Sequence, residues 1–245
     1  MPNVAARQRL ESIPGHGNQP GPLHRLILWD IDGTLLRSGP LGRGAIEEAA
    51  GLVAGLVEVP KIVMSGKTDP QILREIFEAA ELDDVDALVT RALPEAVRAL
   101  ARVEHEIATI GYLVAGVEGV LSALHDRPGV HQTLLTGNLV ENAAVKVGAF
   151  GLTHFFDVEV GAYGSDHHDR TELVPIARER NARLRGEDYA DDEVWVIGDT
   201  ANDLACARAG GVRCLLVSPD AKGLDADAWV EDFTDTRHVL DVLTA

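Results

Sequence analysis

Residues 25–35 read R-L-I-L-W-D-I-D-G-T-L, an apolar run that stops at two acids and a glycine. The unbroken apolar stretch 26–29 has the pattern of a strand buried on both faces, as in a parallel sheet. In an open α/β sheet, ligands bind in the crevice beyond the carboxyl ends of the strands, so Asp30 and Asp32 stand where chemistry is expected. Residues i and i+2 of an extended segment project to the same side, which aims both carboxylates at one small volume. Two like charges held that close either raise one pKa or call for a cation. The plain alternative is a solvated acidic turn in which Gly33 supplies a positive φ.

With 245 residues, 46% of them hydrophobic, the chain is long enough for one large domain or a domain with an insert. A formal net charge of −17 works against nucleic acid and anionic membrane as partners, since both would be repelled at long range. It leaves room for a small anionic substrate held by a local field. No apolar run approaches the ~20 residues of a membrane span, and the N-terminus lacks the apolar core of a signal peptide. Cys206 and Cys214 read as small core residues of a reducing compartment rather than a disulfide. The expected location is the cytoplasm, and the expected oligomeric state is left open between monomer and homodimer.

Residues 1–23 carry P-G-H-G-N-Q-P-G-P and little periodicity, and read as a disordered or loosely docked extension. The α/β core is expected over 24–38 and 115–245, interrupted by a helical cap over 39–114. Helices are expected there at 45–56, 70–80 and 94–109. In the second, Ile72, Leu73, Ile76, Phe77 and Ala80 share one face, Thr68 or Asp69 caps the start and Pro70 opens the first turn. The third carries Val97, Leu100, Val103 and Ile107 on one stripe. After Gly116 the pattern alternates: strands at 129–135, 157–160, 194–197 and 213–217, helices at 117–125, 139–150, 171–184 and 202–209. Such alternation predicts a doubly wound, Rossmann-like parallel sheet with right-handed crossovers.

Three of these strands end in polar residues: Asp30 and Asp32, then Thr136-Gly137-Asn138, then Asp199 with Asp203. Parallel strands put all their carboxyl ends on one edge, so these groups converge if the sheet forms. Four carboxylates in one crevice need a cation, and a donor set of carboxylates, carbonyls and waters suits octahedral Mg²⁺. No His/Cys set with zinc spacing competes. An Asp can attack phosphorus, splitting one hard displacement into two easier ones, and Asp30 is the natural nucleophile. Asp32 could protonate the leaving oxygen and later deprotonate water. Thr136 and the backbone N–H groups of Gly137 and Asn138 could hold phosphoryl oxygens, as helix N-termini hold anions.

D-I-D-G-T-L, L-L-T-G-N and V-I-G-D-T-x-x-D resemble motifs one, two and four of the haloacid dehalogenase-like hydrolase superfamily, over residues from 26 to the C-terminus. The helical insert is similar to the C1-type cap of the phosphoglycolate phosphatase and β-phosphoglucomutase branch. The resemblance implies a Rossmann-like core, Mg²⁺ and an aspartyl-phosphate mechanism. It makes Asp30 the nucleophile, Asp32 the acid/base residue whose backbone carbonyl also binds Mg²⁺, and Thr136 the phosphate-binding hydroxyl. Asp199 becomes a metal ligand and Asp203 a ligand or an outer partner through water.

Motif three departs from the family's usual Lys, and Arg170 is the best-placed cation, able to clamp oxygens in a bidentate way but not equivalent to a Lys point charge. The loop Ser65-Gly66-Lys67-Thr68-Asp69 resembles the one that faces the active site in this branch. Lys67 there either reaches an anionic group of the substrate or is an exposed residue of a capping turn. Asp166-His167-His168-Asp169 reads as a solvated loop rather than a metal site. The expected activity is Mg²⁺-dependent hydrolysis of a small organic phosphomonoester, with phosphoglycolate as a first guess. A phosphomutase is the alternative, followed by a non-catalytic binding protein on the same scaffold. A 2-haloacid dehalogenase is disfavoured by Asp32, since that branch generally replaces the second acid of motif one.

Overall fold

The computed structural model describes residues 23–245, so the N-terminal extension lies, but for its last residue, outside the described residues. In chain order the elements begin with β1 (Arg25–Trp29), β2 (Leu36–Arg37), α1 (Leu41–Ala54), α2 (Asp69–Ala79), α3 (Val85–Arg102), α4 (Glu104–Ile110) and β3 (Tyr112–Leu113). They continue with α5 (Val117–His125), β4 (Val130–Thr136), α6 (Val140–Ala149), β5 (Ala162–Tyr163), α7 (Leu173–Arg185) and β6 (Val194–Gly198). The chain closes with α8 (Ala201–Ala209), β7 (Arg213–Val217), β8 (Ala228–Val230) and α9 (Thr236–Leu243).

Six strands form one sheet in the order β5-β4-β1-β6-β7-β8, with every pairing parallel. β1 lies between β4 and β6, with Trp29 opposite both Leu134 and Ile197. That register puts the residues just beyond β1, at the end of β4 and just beyond β6 side by side on one edge. The 26–29 run is fully buried because each residue faces a helical layer. Ile27 and Trp29 pack with Val120 and Leu124 of α5, Ala143 and Val147 of α6, and Val239 and Leu243 of α9. Leu26 and Leu28 pack on the other face with Leu173, Val174 and Ala177 of α7 and Cys206 and Ala207 of α8. Each such large apolar side chain contributes roughly 1.5–3 kcal/mol on burial. Trp29 keeps its indole N–H satisfied by donating 3.1 Å to Gln132 Oε1. Cys206 and Cys214 are buried free thiols.

The four helices α1 to α4 are inserted between β2 and β3, a short antiparallel pair with Leu36 opposite Leu113. The insert has its own core, in which Ile46, Ala49 and Ala50 meet Leu73, Ile76 and Phe77 of α2 and Val89, Ala92 and Ala96 of α3. Thr68 caps α2, its Oγ1 accepting from Gln71 N at 3.2 Å, with Pro70 in the first turn.

Two expectations are corrected. The third insert helix does not open at Pro94; α3 starts at Val85 and carries Pro94 in its interior, and α4 follows as a separate segment. The buried stripe Val89, Ala92, Ala96, Ala99 and Leu100 runs through that point, and its packing outweighs the ~3 kcal/mol that an interior proline costs. The strand expected at 157–160 is also displaced: Val158–Val160 is a 3₁₀ turn and β5 follows at Ala162–Tyr163. Asp157 is already tied to β4, its N–H donating 3.0 Å to Gln132 O and its carbonyl accepting 2.5 Å from Thr133 Oγ1. Ladder pairing therefore starts only at Leu135 with Ala162.

Candidate active site

Beyond β1 the chain continues to bond across the sheet, Asp30 N–H donating 2.9 Å to Ile197 O, and then turns at Gly33 with φ 93°. Asp30, Asp32, Thr136, Gly137, Asn138, Lys67, Arg170 and Asp199 all line one cavity of about 350 Å³ between the sheet edge and the helical insert. Asp203 lies directly behind it, fully buried. The sheet register thus brings together every residue singled out from the three strand ends.

Arg170, from the 3₁₀ turn that precedes α7, is 5% exposed. Its Nη2 lies 3.0 Å from Asp30 Oδ1 and donates to Asp203 Oδ1. Burial opposes its charge, and the carboxylates of Asp203 and Asp30 more than offset this, holding the guanidinium ionised. The other oxygen of Asp203 belongs to a capping box at the start of α8: Oδ2 accepts from Thr200 N at 3.0 Å and Thr200 Oγ1 at 2.7 Å. With both oxygens engaged by protein, Asp203 anchors Arg170.

Burial lifts the Asp30 carboxyl above its ordinary range; Arg170 pulls it back, and the charges of Asp203 and Asp32 push it up again. Asp199 is pushed up to about 8, first by burial and then by Asp30 and Asp203, with Arg37 and Arg170 opposing more weakly. Asp199 Oδ1 is buried without a hydrogen-bond partner, and Asp30, Asp199 and Asp203 each offer an oxygen within 4.8 Å of the others. An orphaned carboxylate oxygen among like charges is what a hard divalent cation would satisfy, so the donor set fits Mg²⁺.

Asp32 is the open acid of the set, with 43% of its side chain exposed. Its crowded surroundings would raise its pKa, but the Lys146 ammonium and hydrogen bonds from Lys146, Asn138 and Ser38 hold it below the usual carboxylate range. Asn138 Nδ2 donates to Asp32 Oδ2 and to Thr136 Oγ1, both at 2.8 Å. Lys146 is a residue that motif reading passed over. It lies on α6 among Asn142, Ala143 and Val147, all buried, and a charged residue in register with such a stripe is the sequence signal that could have found it.

The 65–69 loop sits directly on this site. Asp69 N–H donates 2.8 Å to Gly137 O, Asp69 Oδ2 accepts from Leu139 N at 2.9 Å, and Thr68 Oγ1 donates 2.6 Å to His168 O. Asn202 Nδ2 reaches Ser65 O at 3.2 Å. Asp69, expected as a helix cap or as part of the loop facing the site, is buried, which raises its pKa despite the nearby Lys146. Lys67 lines the cavity but is paired with Glu75, so its ammonium is committed within the insert. In the acidic-histidine loop, Asp166 is pinned by Arg180 and by Tyr163 N, and His167 stacks on His168.

Residues 24–211 match the model of the haloacid dehalogenase-like hydrolases. The chain belongs to that family and is a hydrolase, which agrees with the motifs read from its strand ends. A phosphoglycolate phosphatase of Pseudomonas syringae pv. syringae is 30% identical over 205 residues, covering 81% of this chain and 71% of the relative. Another, from Cereibacter sphaeroides, is 28% identical over 196 residues, covering 78% and 83%. Among solved structures, a hydrolase from Pseudomonas syringae superposes with a TM-score of 0.66 at 18% identity, covering 91% of this chain and 100% of that one. CbbY from Rhodobacter sphaeroides in complex with phosphate gives 0.61 at 21% identity, covering 86% and 96%. At those identities the likeness is one of fold. Among the described residues no helix is long and apolar enough to cross a membrane.

Proposed function

We propose that this hydrolase is a Mg²⁺-dependent phosphatase of small organic phosphomonoesters, working through a phosphorylated Asp30. The observation that carries the reading is the convergence of Asp30, Asp32, Thr136, Arg170 and Asp199 on one cavity at the carboxyl edge of the sheet. Asp199, Asp30 and the backbone carbonyl of Asp32 would hold the cation, with Asp203 behind them. When bound, Mg²⁺ would neutralise charge on the transferring phosphoryl oxygens.

An oxygen of Asp30 attacks phosphorus, forming the aspartyl–phosphorus bond as the bond to the ester oxygen breaks. Arg170 holds Asp30 in place and balances Asp203, the part usually taken by Lys in this family. Thr136 and the amides of Gly137 and Asn138 receive the phosphoryl oxygens. Asp32 hands its proton to the leaving oxygen. In the substrate-free cavity Lys146 and Asn138 keep Asp32 ionised, so it takes up that proton as the anionic ester arrives and raises its pKa. It then removes a proton from the water that cleaves the aspartyl-phosphate, and the Asp30 carboxylate is restored.

The four-helix insert acts as a cap whose 65–69 loop closes the cavity and excludes bulk water. The phosphoglycolate phosphatases among its relatives make phosphoglycolate the first substrate to test. A structure of CbbY with xylulose-(1,5)bisphosphate puts sugar phosphates in the same panel. Phosphate release should require Mg²⁺, vanish with EDTA, return with added Mg²⁺ and be lost in Asp30→Asn. Wild-type phosphate release by Asp30→Asn would overturn the nucleophile, and isomerisation of a sugar phosphate without net release would make the enzyme a mutase.

A further inference from the structure

An ammonium group taken out of water costs several kcal/mol unless acceptors surround it. Lys146 is 5% exposed, yet it extends from the inner face of α6 toward the catalytic edge. Helical side chains lean toward the N-terminus of their helix, which carries this one back over the turn that holds Asn138. Its Nζ donates 2.5 Å to Asp32 Oδ2 and 2.6 Å to Asn138 Oδ1. By accepting from Lys146, Asn138 Oδ1 fixes the orientation of its amide and leaves Nδ2 to face Asp32 and Thr136. Gly42 on α1 covers the group from above: a Cβ there would lie 3.3 Å from Lys146 Nζ and 3.1 Å from Ser38 Oγ. Lys146 therefore links the nucleophile-bearing strand end, the Thr136 turn and the helical insert.

We propose that Lys146 is a positioning residue of the catalytic crevice, holding the Asp32 carboxylate and the Asn138 amide in one mutual geometry without itself binding the transferring phosphate. Asp32 has the most exposed side chain among the acids Asp30, Asp32, Asp199 and Asp203, and without Lys146 its side chain and the Asn138 amide can rotate out of register. The inference rests on the phosphatase reading for its kinetic arm, where Lys146 acts through Asp32 on proton delivery to the leaving oxygen.

The test compares kcat/KM for p-nitrophenyl phosphate, whose aryloxide departs without a proton, with that for phosphoglycolate, whose alkoxide needs one. Lys146→Met, similar in length and uncharged, should lower kcat/KM for phosphoglycolate about tenfold or more beyond its effect on the aryl ester. Lys146→Arg should recover part of the loss. In an Asp32→Asn background Lys146→Met should cost little further, because the two residues act in series. A raised KM with unchanged kcat on both esters would overturn the proposal by making Lys146 a substrate ligand. Full additivity with Asp32→Asn would overturn it as well. Crystal structures of the wild type and Lys146→Met supply an arm independent of turnover: Asp32 and Asn138 unmoved in the variant would refute positioning. Displacement of both, in a protein that hydrolyses neither ester, would support positioning and overturn the phosphatase reading alone.

Discussion

Gly33 and Asp199 approach so closely that a Cβ built at Gly33 would fall 2.1 Å from Asp199 Oδ2. The turn after the first acid pair and the acid after β6 are thus fitted to one another, and the fit depends on a residue with no side chain. Gly33 also holds φ 93°, a region that L side chains rarely adopt. Gly33→Ala should leave a folded protein whose Mg²⁺ affinity, measured by calorimetry, falls about tenfold or more, with phosphate release falling in step.

The pKa of Asp199 in the folded protein, about 8, lies well above the ~4 of an unfolded Asp. Between those limits the folded protein holds a proton that the unfolded chain has lost. The contribution to stability is therefore complete below about pH 4 and lost as pH rises through about 8 in metal-free protein. Asp30, also raised, adds in the same direction. A cation that takes the ionised carboxylates reverses the trend and displaces protons. The gap in Tm between Mg²⁺-saturated and EDTA-treated protein should widen as pH rises from about 5 to about 9, and calorimetry in buffers of different ionisation enthalpy should show proton release on Mg²⁺ binding.

Arg170 balances two buried acids, so its removal leaves both uncompensated. Arg170→Met should destabilise the protein by about 3–5 kcal/mol in urea unfolding and abolish phosphate release. Arg170→Lys keeps a charge but loses the planar guanidinium whose Nη2 meets both Asp30 and Asp203. It should recover most of the stability and only part of kcat.

Pro94 interrupts the hydrogen-bond ladder of α3 in mid-helix. Pro94→Ala restores one N–H donor and should raise stability by roughly 1–3 kcal/mol, read as a higher Tm, with kcat unchanged.

The sheet and the gathering of acids at its strand ends could be read from the chain because their signals are local. An apolar run such as 26–29 needs two buried faces, and acids placed at strand ends follow the sheet wherever it goes. Pro94 is a local breaker signal, and the stripe from Val89 to Leu100 that overrides it gains its force only from packing within the insert. The two-residue strands β2 and β3 carry no periodicity of their own and exist only because the insert must leave and re-enter the sheet at adjacent points. Lys146 escaped for a related reason. It is one charged residue inside an ordinary helical pattern, and its importance lies in a contact spanning 114 residues to Asp32.

The loop 65–69 is stitched to the Thr136 turn, to the His168 segment and to α8 by four hydrogen bonds. A roof fastened to three walls moves as one piece. To lift it from the crevice these fastenings must part together, so a change of loop position is a concerted event rather than the swing of a single side chain.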